Sequence, residues 1–200
     1  MHHRIYLKLT TQRSMNDVGG KQNIGKLGLA VAVTFSTIKC QYRVFDEAQV
    51  DELIDLLTGA DLVVGHNHVE FDHQVLQGYT RRDMLFQTVN HDLLLDLEKR
   101  VGCKLSLNSL ATATLGVGRV AKGMEKLAWW WNYQRTGDKA WLLRLAEGCA
   151  LDVKTLMLVH WYGIEHGHVL FTDRSGIVRQ VQVDWATMSA ASRQTVQHRP

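Results

Sequence analysis

Hydrophobic positions near the start of the chain follow the pattern of β-strands. Residues 5–9 alternate as a strand does, and residues 27–35 form a near-continuous run of apolar and β-branched side chains. Residues 42–45 are a second short run of this kind, and residues 13–26 between the first two runs contain turn-forming asparagine and glycine. The pattern predicts neighbouring antiparallel strands, with a loop after the first strand.

Apolar residues then recur at helical spacing. Asp46 is a suitable N-cap for a helix that continues to Gly59, and residues 62–64 form a buried strand that leads through a turn into a helix carrying Phe71. From residue 92 to about residue 165 the spacing is almost entirely helical. The predicted helices cover residues 93–101, 106–115, 124–131 and 140–164, the last with a potential break near Gly148.

The period changes once more near the C-terminal end. Residues 169–172 and 177–183 flank an Asp-Arg-Ser-Gly turn, which predicts a β-hairpin followed by Trp185 as an anchor. No internal repeat or proline-rich linker divides the chain. We therefore predict one α/β domain over residues 1–185 and a weakly ordered tail over residues 186–200.

Composition supports a compact domain and excludes several classes of protein. The chain has 200 residues, 46% hydrophobic and 22% charged, which excludes a disordered or fibrous protein. We expect a cytoplasmic protein without membrane contact, because no apolar run reaches the roughly 18 residues of a membrane span and no secretory signal begins the chain. Three widely spaced cysteines, Cys40, Cys103 and Cys149, are expected to be buried thiols. The net charge of +3 permits contact with a polyanion without establishing it.

The segment Leu-Val-Val-Gly-His-Asn-His-Val-Glu-Phe-Asp brings two polar residues to the end of a buried strand. Asn67 ends the strand, and Asp72 follows in a helix beside Phe71, which anchors that helix in the core. This segment resembles the second motif of the DEDD superfamily of 3′-to-5′ exonucleases, in which a strand-end asparagine precedes a Phe-Asp pair.

A late helix resembles the third motif of the same superfamily. Asp152 aligns with a metal-binding aspartate, and Gly148 stands where the superfamily has a tyrosine. Further segments, residues 18–20, 26–29, 105–110 and 113–116, resemble a predicted bacterial and archaeal nuclease family that is sometimes fused to helicase domains. The resemblance extends over about residues 5–185. It implies a ribonuclease H-like mixed β-sheet flanked by helices, with a C-terminal β-hairpin.

The first motif differs from the resemblance at both of its acids. The superfamily has an Asp-x-Glu pair on the opening strand, where alternation turns both carboxylates toward the site. In this register Lys8 stands at the metal-bridging aspartate and Thr10 at the glutamate. Hard divalent ions need anionic oxygen ligands, and a lysine supplies none. Lys8 is therefore expected to act as a counter-ion between Asp72 and Asp152.

These substitutions predict a DEDD-type scaffold without two-metal catalysis and without a bound cofactor. The leading hypothesis is a protein that binds DNA or RNA, or holds a partner in a nucleoprotein assembly. One alternative is an active Mg²⁺- or Mn²⁺-dependent exonuclease that uses Asp72, Asp152 and an unconventional ligand such as His66, His68 or His73. Another alternative is an adaptor that binds only proteins.

Three consecutive tryptophans on a predicted helix offer a surface for nucleic acid. Bases stack on tryptophan, and nearby cations neutralise phosphates. The same composition suits a protein-partner surface, or a core-packed helix with solvated cations. The residues expected to bind nucleic acid are Lys122, Lys126, Trp130, Arg135 and Lys139.

Overall fold

A five-stranded mixed sheet forms the centre of the computed structural model, which describes residues 2–117 and 123–187. The strands are β1 (Arg4–Thr11), β2 (Leu29–Ser36), β3 (Gln41–Phe45), β4 (Leu62–Gly65) and β5 (Asn90–Asp92). Their order is β3-β2-β1-β4-β5. The pairs β1–β2 and β2–β3 are antiparallel, whereas β1–β4 and β4–β5 are parallel. This sheet, with its flanking helices, confirms the predicted α/β fold class.

Helices follow the order that the spacing predicts. They are α1 (Val50–Thr58), α2 (His73–Gln77), α3 (Met84–Gln87), α4 (Leu93–Val101), α5 (Leu107–Leu115), α6 (Gly123–Thr136) and α7 (Lys139–His166), with a π-helical turn at His68–Asp72 and 3₁₀ turns at Lys21–Lys26 and Glu47–Gln49. The predicted break near Gly148 is absent, since α7 runs through it. A helical glycine costs only about 1 kcal/mol, which packing outweighs here.

The two faces of the sheet support separate cores. Ile5, Leu7 and Leu9 of β1 pack with α1 and α2, whereas Tyr6 belongs to the core that α7 covers. Because strand residues alternate, Lys8 and Thr10 lie on the same face as Tyr6, toward α7. The fold therefore places the two substituted positions between the sheet and the helix that carries Asp152.

The C-terminal hairpin is formed by β6 (His168–Thr172) and β7 (Val178–Gln182), as predicted. Trp185 follows it and is fully buried. Its indole Nε1 donates to Asp96 at 2.7 Å, and its ring lies so close to Gly163 that an added Cβ there would be 2.2 Å from Cε3. The predicted tail over residues 186–200 lies outside the described residues, apart from residues 186 and 187.

Two further expectations concern membranes and thiols. Within residues 2–117 and 123–187, no helix has the combination of length and apolarity that crossing a membrane requires. Cys149 is buried as expected, but Cys103 is half-buried and Cys40 is exposed. The expectation is wrong for Cys40 because it lies in the turn between β2 and β3, at a positive φ of 50°.

Candidate functional site

Lys8 meets Asp72 at the centre of the sheet. Its Nζ lies 3.7 Å from Oδ2 of Asp72, and the backbone N–H of Leu9 donates to the other carboxylate oxygen at 3.0 Å. Thr10, two residues along β1, shares a hydrogen bond of 3.2 Å with the thiol of Cys149 on α7. The structure therefore brings the positions of the first motif against Asp72 and α7.

Burial and charge act against each other in this pair. Asp72 is fully buried, which raises the pKa of its carboxyl group, although the charge of Lys8 opposes that rise. Burial lowers the pKa of Lys8, but the carboxylates of Asp72 and Asp152 outweigh it, and the pKa is raised overall. Within the described parts of the chain, Oδ2 of Asp72 accepts no hydrogen bond. Lys8 is thus a charged group that only partly compensates a buried carboxyl.

Asp152 forms an ion pair with a second lysine, Lys126. The ammonium group of Lys126, on α6, donates to the carboxylate of Asp152. Both groups are buried, with the side chain of Lys126 3% exposed and that of Asp152 12% exposed. Lys126 was expected on an exposed nucleic-acid surface, but the structure places it inside the cleft. Lys126 pairs with the carboxylate of Asp152 and does not extend into solvent, because leaving a buried charge unpaired is costly.

Gly148 creates the space for this arrangement. A Cβ atom added at Gly148 would lie 3.0 Å from Cζ3 of Trp129 and 3.3 Å from Cε of Lys126. Both are tight contacts. At the position where the resemblance expects a tyrosine, side chains of α6 therefore occupy the room that a larger residue would need.

Asn67 is held by a carboxylate that the sequence did not single out as a site residue. Asn67 adopts the left-handed conformation, with φ 64°, and its N–H donates to Asp92 Oδ1 at 2.8 Å. The N–H of Val69 donates to the other oxygen of Asp92 at 3.0 Å. Burial raises the pKa of Asp92, but His68 and these N–H groups outweigh it and hold the pKa well below its ordinary value. The available signal was an aspartate between a strand and a helix, the N-cap position of α4.

The positions of β1, Asp152 and Lys126 line one cavity. Its volume is about 680 Å³. Charged groups in the wall come from Lys8, Arg13, Lys126 and Asp152. Apolar wall residues are Leu9, Met15, Leu27, Phe71, Met124 and Leu127. The arrangement suits a ligand that combines an anionic group with an apolar ring.

A sequence model of the RNase H superfamily matches residues 19–162. The chain belongs to the RNase H superfamily. The match includes Asp72, Gly148 and Asp152 and begins after β1, the strand that carries Lys8 and Thr10. No curated protein matches the chain significantly.

Each of the three histidines near Asp72 in this RNase H superfamily domain has a hydrogen-bond partner at Nε2. His68 Nε2 and His73 Nε2 lie 3.1 and 2.7 Å from Oδ1 of Asn90, and His66 Nε2 lies 2.9 Å from the carbonyl oxygen of Leu105. Burial lowers the pKa of His66 and of His73 to about 4. In the described residues, no group of three or more histidine, cysteine or acidic side chains is arranged to hold a metal ion.

The tryptophans of α6 point in different directions. Trp131 is 45% exposed, and its Nε1 donates to the carbonyl oxygen of Gln12 at 3.2 Å. The guanidinium group of Arg144 lies 5.6 Å from the ring centre of Trp129 and 5.8 Å from that of Trp141. Trp131 of α6 is therefore tied to the residue that follows β1, whereas Trp129 of α6 and Trp141 of α7 share a cation–π contact with Arg144.

The remaining residues of the expected nucleic-acid surface are dispersed. Trp130 is half-buried beside Tyr133, with ring centres 5.6 Å apart. Arg135 and Lys139 are exposed at the junction of α6 and α7. Lys122 lies outside the described residues. The RNase H superfamily domain thus separates Lys126, which lines the cleft, from Arg135 and Lys139, which lie on the surface.

Proposed function

We propose that this RNase H superfamily domain is a DEDD exonuclease-like scaffold that binds nucleic acid without cleaving it. One observation carries the proposal: Asp72 and Asp152, the two acids that the resemblance retains, each face an ammonium group. Lys8 faces Asp72 and Lys126 pairs with Asp152. Lysines of the chain itself thus stand where metal ions would be needed, which supports binding over metal-dependent cutting.

The residues do not fit the two divalent ions that DEDD-type nucleases use. Such ions require several anionic or carbonyl oxygens, whereas this site offers two carboxylates, each with a cation against it. At about 4 Å and an effective dielectric of about 20, two like unit charges repel by about 4 kcal/mol, and a divalent ion is repelled about twice as strongly. The proposed function therefore involves no catalytic metal ion.

Nucleic-acid binding has separate support. Domains of the RNase H superfamily commonly bind nucleic acid, and the chain belongs to that superfamily. Lys8 and Arg13 line the cleft, and Arg144 is held over two tryptophan rings at the surface. Cations beside aromatic rings suit single strands, whose phosphates and bases are both accessible.

The deciding experiment combines a cleavage assay with a binding assay on the same preparation. A labelled single-stranded oligonucleotide is incubated with the protein across a series of Mg²⁺ and Mn²⁺ concentrations. We expect no metal-stimulated release of nucleotides. Fluorescence anisotropy of the same strand is expected to show an affinity that falls as salt rises. Digestion in Mn²⁺ that is abolished by Asp72→Ala and Asp152→Ala would establish the active alternative instead.

A protein-binding subunit of a nucleoprotein assembly is the second candidate. It is favoured by large apolar side chains on α7, where Leu143, Leu151 and Trp161 are 61%, 49% and 43% exposed. Exposed large apolar side chains of this kind are available to a protein partner. If neither DNA nor RNA binds with salt-sensitive affinity, an adaptor that binds only proteins becomes the better account.

A further inference from the structure

The cleft carries cations where the resemblance expects a metal centre. From this disagreement we infer that the cavity is a metal-independent phosphate site of nucleotide size, in which Lys8 and Arg13 bind the phosphate of a bound nucleotide directly. The inference rests on the proposed function and adds the chemical class of the ligand. The expected ligand changes from a metal cation to an anion.

Lys8 is the charged group at the base of the cleft that a ligand can contact. Its side chain is 26% exposed and lines the cavity, whereas Asp72 beneath it is fully buried. The 3.7 Å between Nζ and Oδ2 exceeds the distance of about 2.8 Å in a charge-assisted hydrogen bond. An ammonium group has three N–H donors, and this contact satisfies none of them well. A phosphate oxygen above Lys8 would supply the missing acceptor.

The charges of the cavity favour an anion. Among the described residues that line it, Lys8, Arg13 and Lys126 are cationic and Asp152 is anionic. Lys126 and Asp152 neutralise each other, and Asp72 beneath the floor offsets part of the charge of Lys8. Arg13 remains at the exposed end, where Nη1 donates to the carbonyl oxygen of Lys26 at 2.7 Å. The guanidinium group is thereby fixed at the cavity while it keeps further N–H donors.

The rest of the wall matches the other half of a nucleotide. Phe71 is half-buried and lines the cavity together with the apolar side chains of Met15, Met124 and Leu127. Aromatic and thioether side chains make favourable contacts with planar rings. The volume of about 680 Å³ falls within the range of sites that enclose small molecules. One nucleotide unit of a strand, with its phosphate near Lys8 and its base near Phe71, is the occupant we infer.

Metal independence distinguishes this site from a metal-loaded nuclease cleft. Where divalent ions bridge carboxylates and phosphate, removing them removes the affinity. Here the ammonium and guanidinium groups are part of the chain, so chelation leaves them in place. Added Mg²⁺ would only screen the phosphate, which is a weak effect at constant ionic strength.

The test is isothermal titration calorimetry of the full chain with a nucleoside 5′-monophosphate in excess EDTA. Free nucleoside and inorganic phosphate form two further arms, because they separate the contribution of the ring from that of the anion. We expect the monophosphate to bind in EDTA with an affinity that Mg²⁺ changes by less than about twofold at matched ionic strength. Both fragments are expected to bind more weakly.

Three variants locate the site. Lys8→Met is expected to weaken the monophosphate about tenfold or more, in line with the loss of a charged hydrogen bond. Arg13→Gln, at an exposed position, is expected to weaken it several-fold without the folding risk of leaving Asp72 unpaired. Lys99→Met, exposed on α4, removes one positive charge outside the cavity and is expected to leave the affinity unchanged.

The outcomes separate this inference from the proposed function. A requirement for Mg²⁺, or equal affinity in Lys8→Met, Arg13→Gln and the unaltered protein, overturns the inference. If an oligonucleotide still binds in that case, the proposed function stands through another surface. If the monophosphate binds as expected but no oligonucleotide does, the inference stands and the proposed function fails.

Discussion

Lys126 of α6 donates a hydrogen bond to the carboxylate of Asp152 on α7, and both side chains are buried. The contact joins two neighbouring helices at the wall of the cleft. Gly148 lies one turn before Asp152 on α7, and its missing side chain leaves room for Trp129 and for the stem of Lys126. A small residue on one helix and a long cation on the other therefore work together to neutralise Asp152.

Removing Lys126 is expected to destabilise the protein strongly. In Lys126→Met the carboxylate of Asp152 stays buried without its partner, and such losses cost about 3 to 5 kcal/mol. The free energy of unfolding in urea measures the effect. The double variant Lys126→Met/Asp152→Leu is expected to recover much of the loss, and Lys139→Met, at an exposed position of α7, serves as the control. Equal stability of Lys126→Met and the control would contradict a buried ion pair.

Reversing the charge of the cleft is expected to create affinity for a divalent ion. The combination Lys8→Asp/Lys126→Ala removes both ammonium groups and adds a carboxylate beside Asp72 and Asp152. Because a bound ligand stabilises the folded state, the melting temperature of this variant should rise with Mn²⁺ concentration. The unaltered protein should show no such rise, and an equal rise in both would mean that Mn²⁺ binds elsewhere or that Lys8 and Lys126 do not exclude it.

Buried histidines are expected to make the protein less stable in acid. Burial lowers the pKa of His91 from 6.5 to about 4. Between these values the unfolded chain binds more protons than the folded one, so the free energy of unfolding falls as pH drops from about 6.5 to about 4. Each such histidine contributes a slope of about 1 kcal/mol per pH unit. His66 and His73 contribute in the same direction.

Urea unfolding at a series of pH values measures this slope. His91→Phe is expected to reduce it, because the variant removes one group whose protonation favours the unfolded chain. His166→Gln, at an exposed position near the end of α7, is the matched control for the loss of a histidine. An identical slope in His91→Phe and in the unaltered protein would show that His91 does not titrate in this window.

A tyrosine at Gly148 is expected to displace α6. The variant Gly148→Tyr would restore the residue that the resemblance expects, but an added Cβ is already in tight contact with Trp129 and Lys126. Overpacking of this kind typically costs about 1 to 3 kcal/mol. Tryptophan fluorescence, to which the three tryptophans of α6 contribute, and the free energy of unfolding report the change. A fully stable variant with unchanged fluorescence would mean that α6 is not fixed over Gly148.

Local signals explain which elements the sequence could predict. Helix α4 begins after Asp92 and α5 after Ser106, and in both cases the side chain of that residue accepts hydrogen bonds from the first turn. Gly102 and Gly116 end these helices in the left-handed conformation. Caps act within one turn, so they can be recognised without knowledge of the fold. Strand β5, by contrast, has only three residues, Asn90, His91 and Asp92, and lacks an apolar pattern. Its position depends on pairing with β4, which is distant in sequence.

The site was only partly predictable for a related reason. Lys8, Asp72 and Asp152 were singled out by motif positions, and the structure brings Lys8 to Asp72 as the counter-ion hypothesis requires. The hypothesis assigned Asp152 to the same lysine, whereas Lys126 pairs with it. Helical spacing shows which residues share a face but not which face meets another helix. The role of Lys126 therefore depends on how α6 packs, which no short segment encodes.

The hydrogen bond from Trp131 to the carbonyl oxygen of Gln12 spans 119 residues of sequence. Its acceptor lies next to the end of β1, so this contact closes a loop of more than half of the chain. The pair formed by Lys126 and Asp152 closes a loop of only 26 residues. Loop closure over many residues slows folding, so the pairing of α6 with α7 is the more local step and the docking of α6 beside β1 is the less local one. The half of the cleft that the sheet provides is thus joined to α6 by a long-range contact of Trp131.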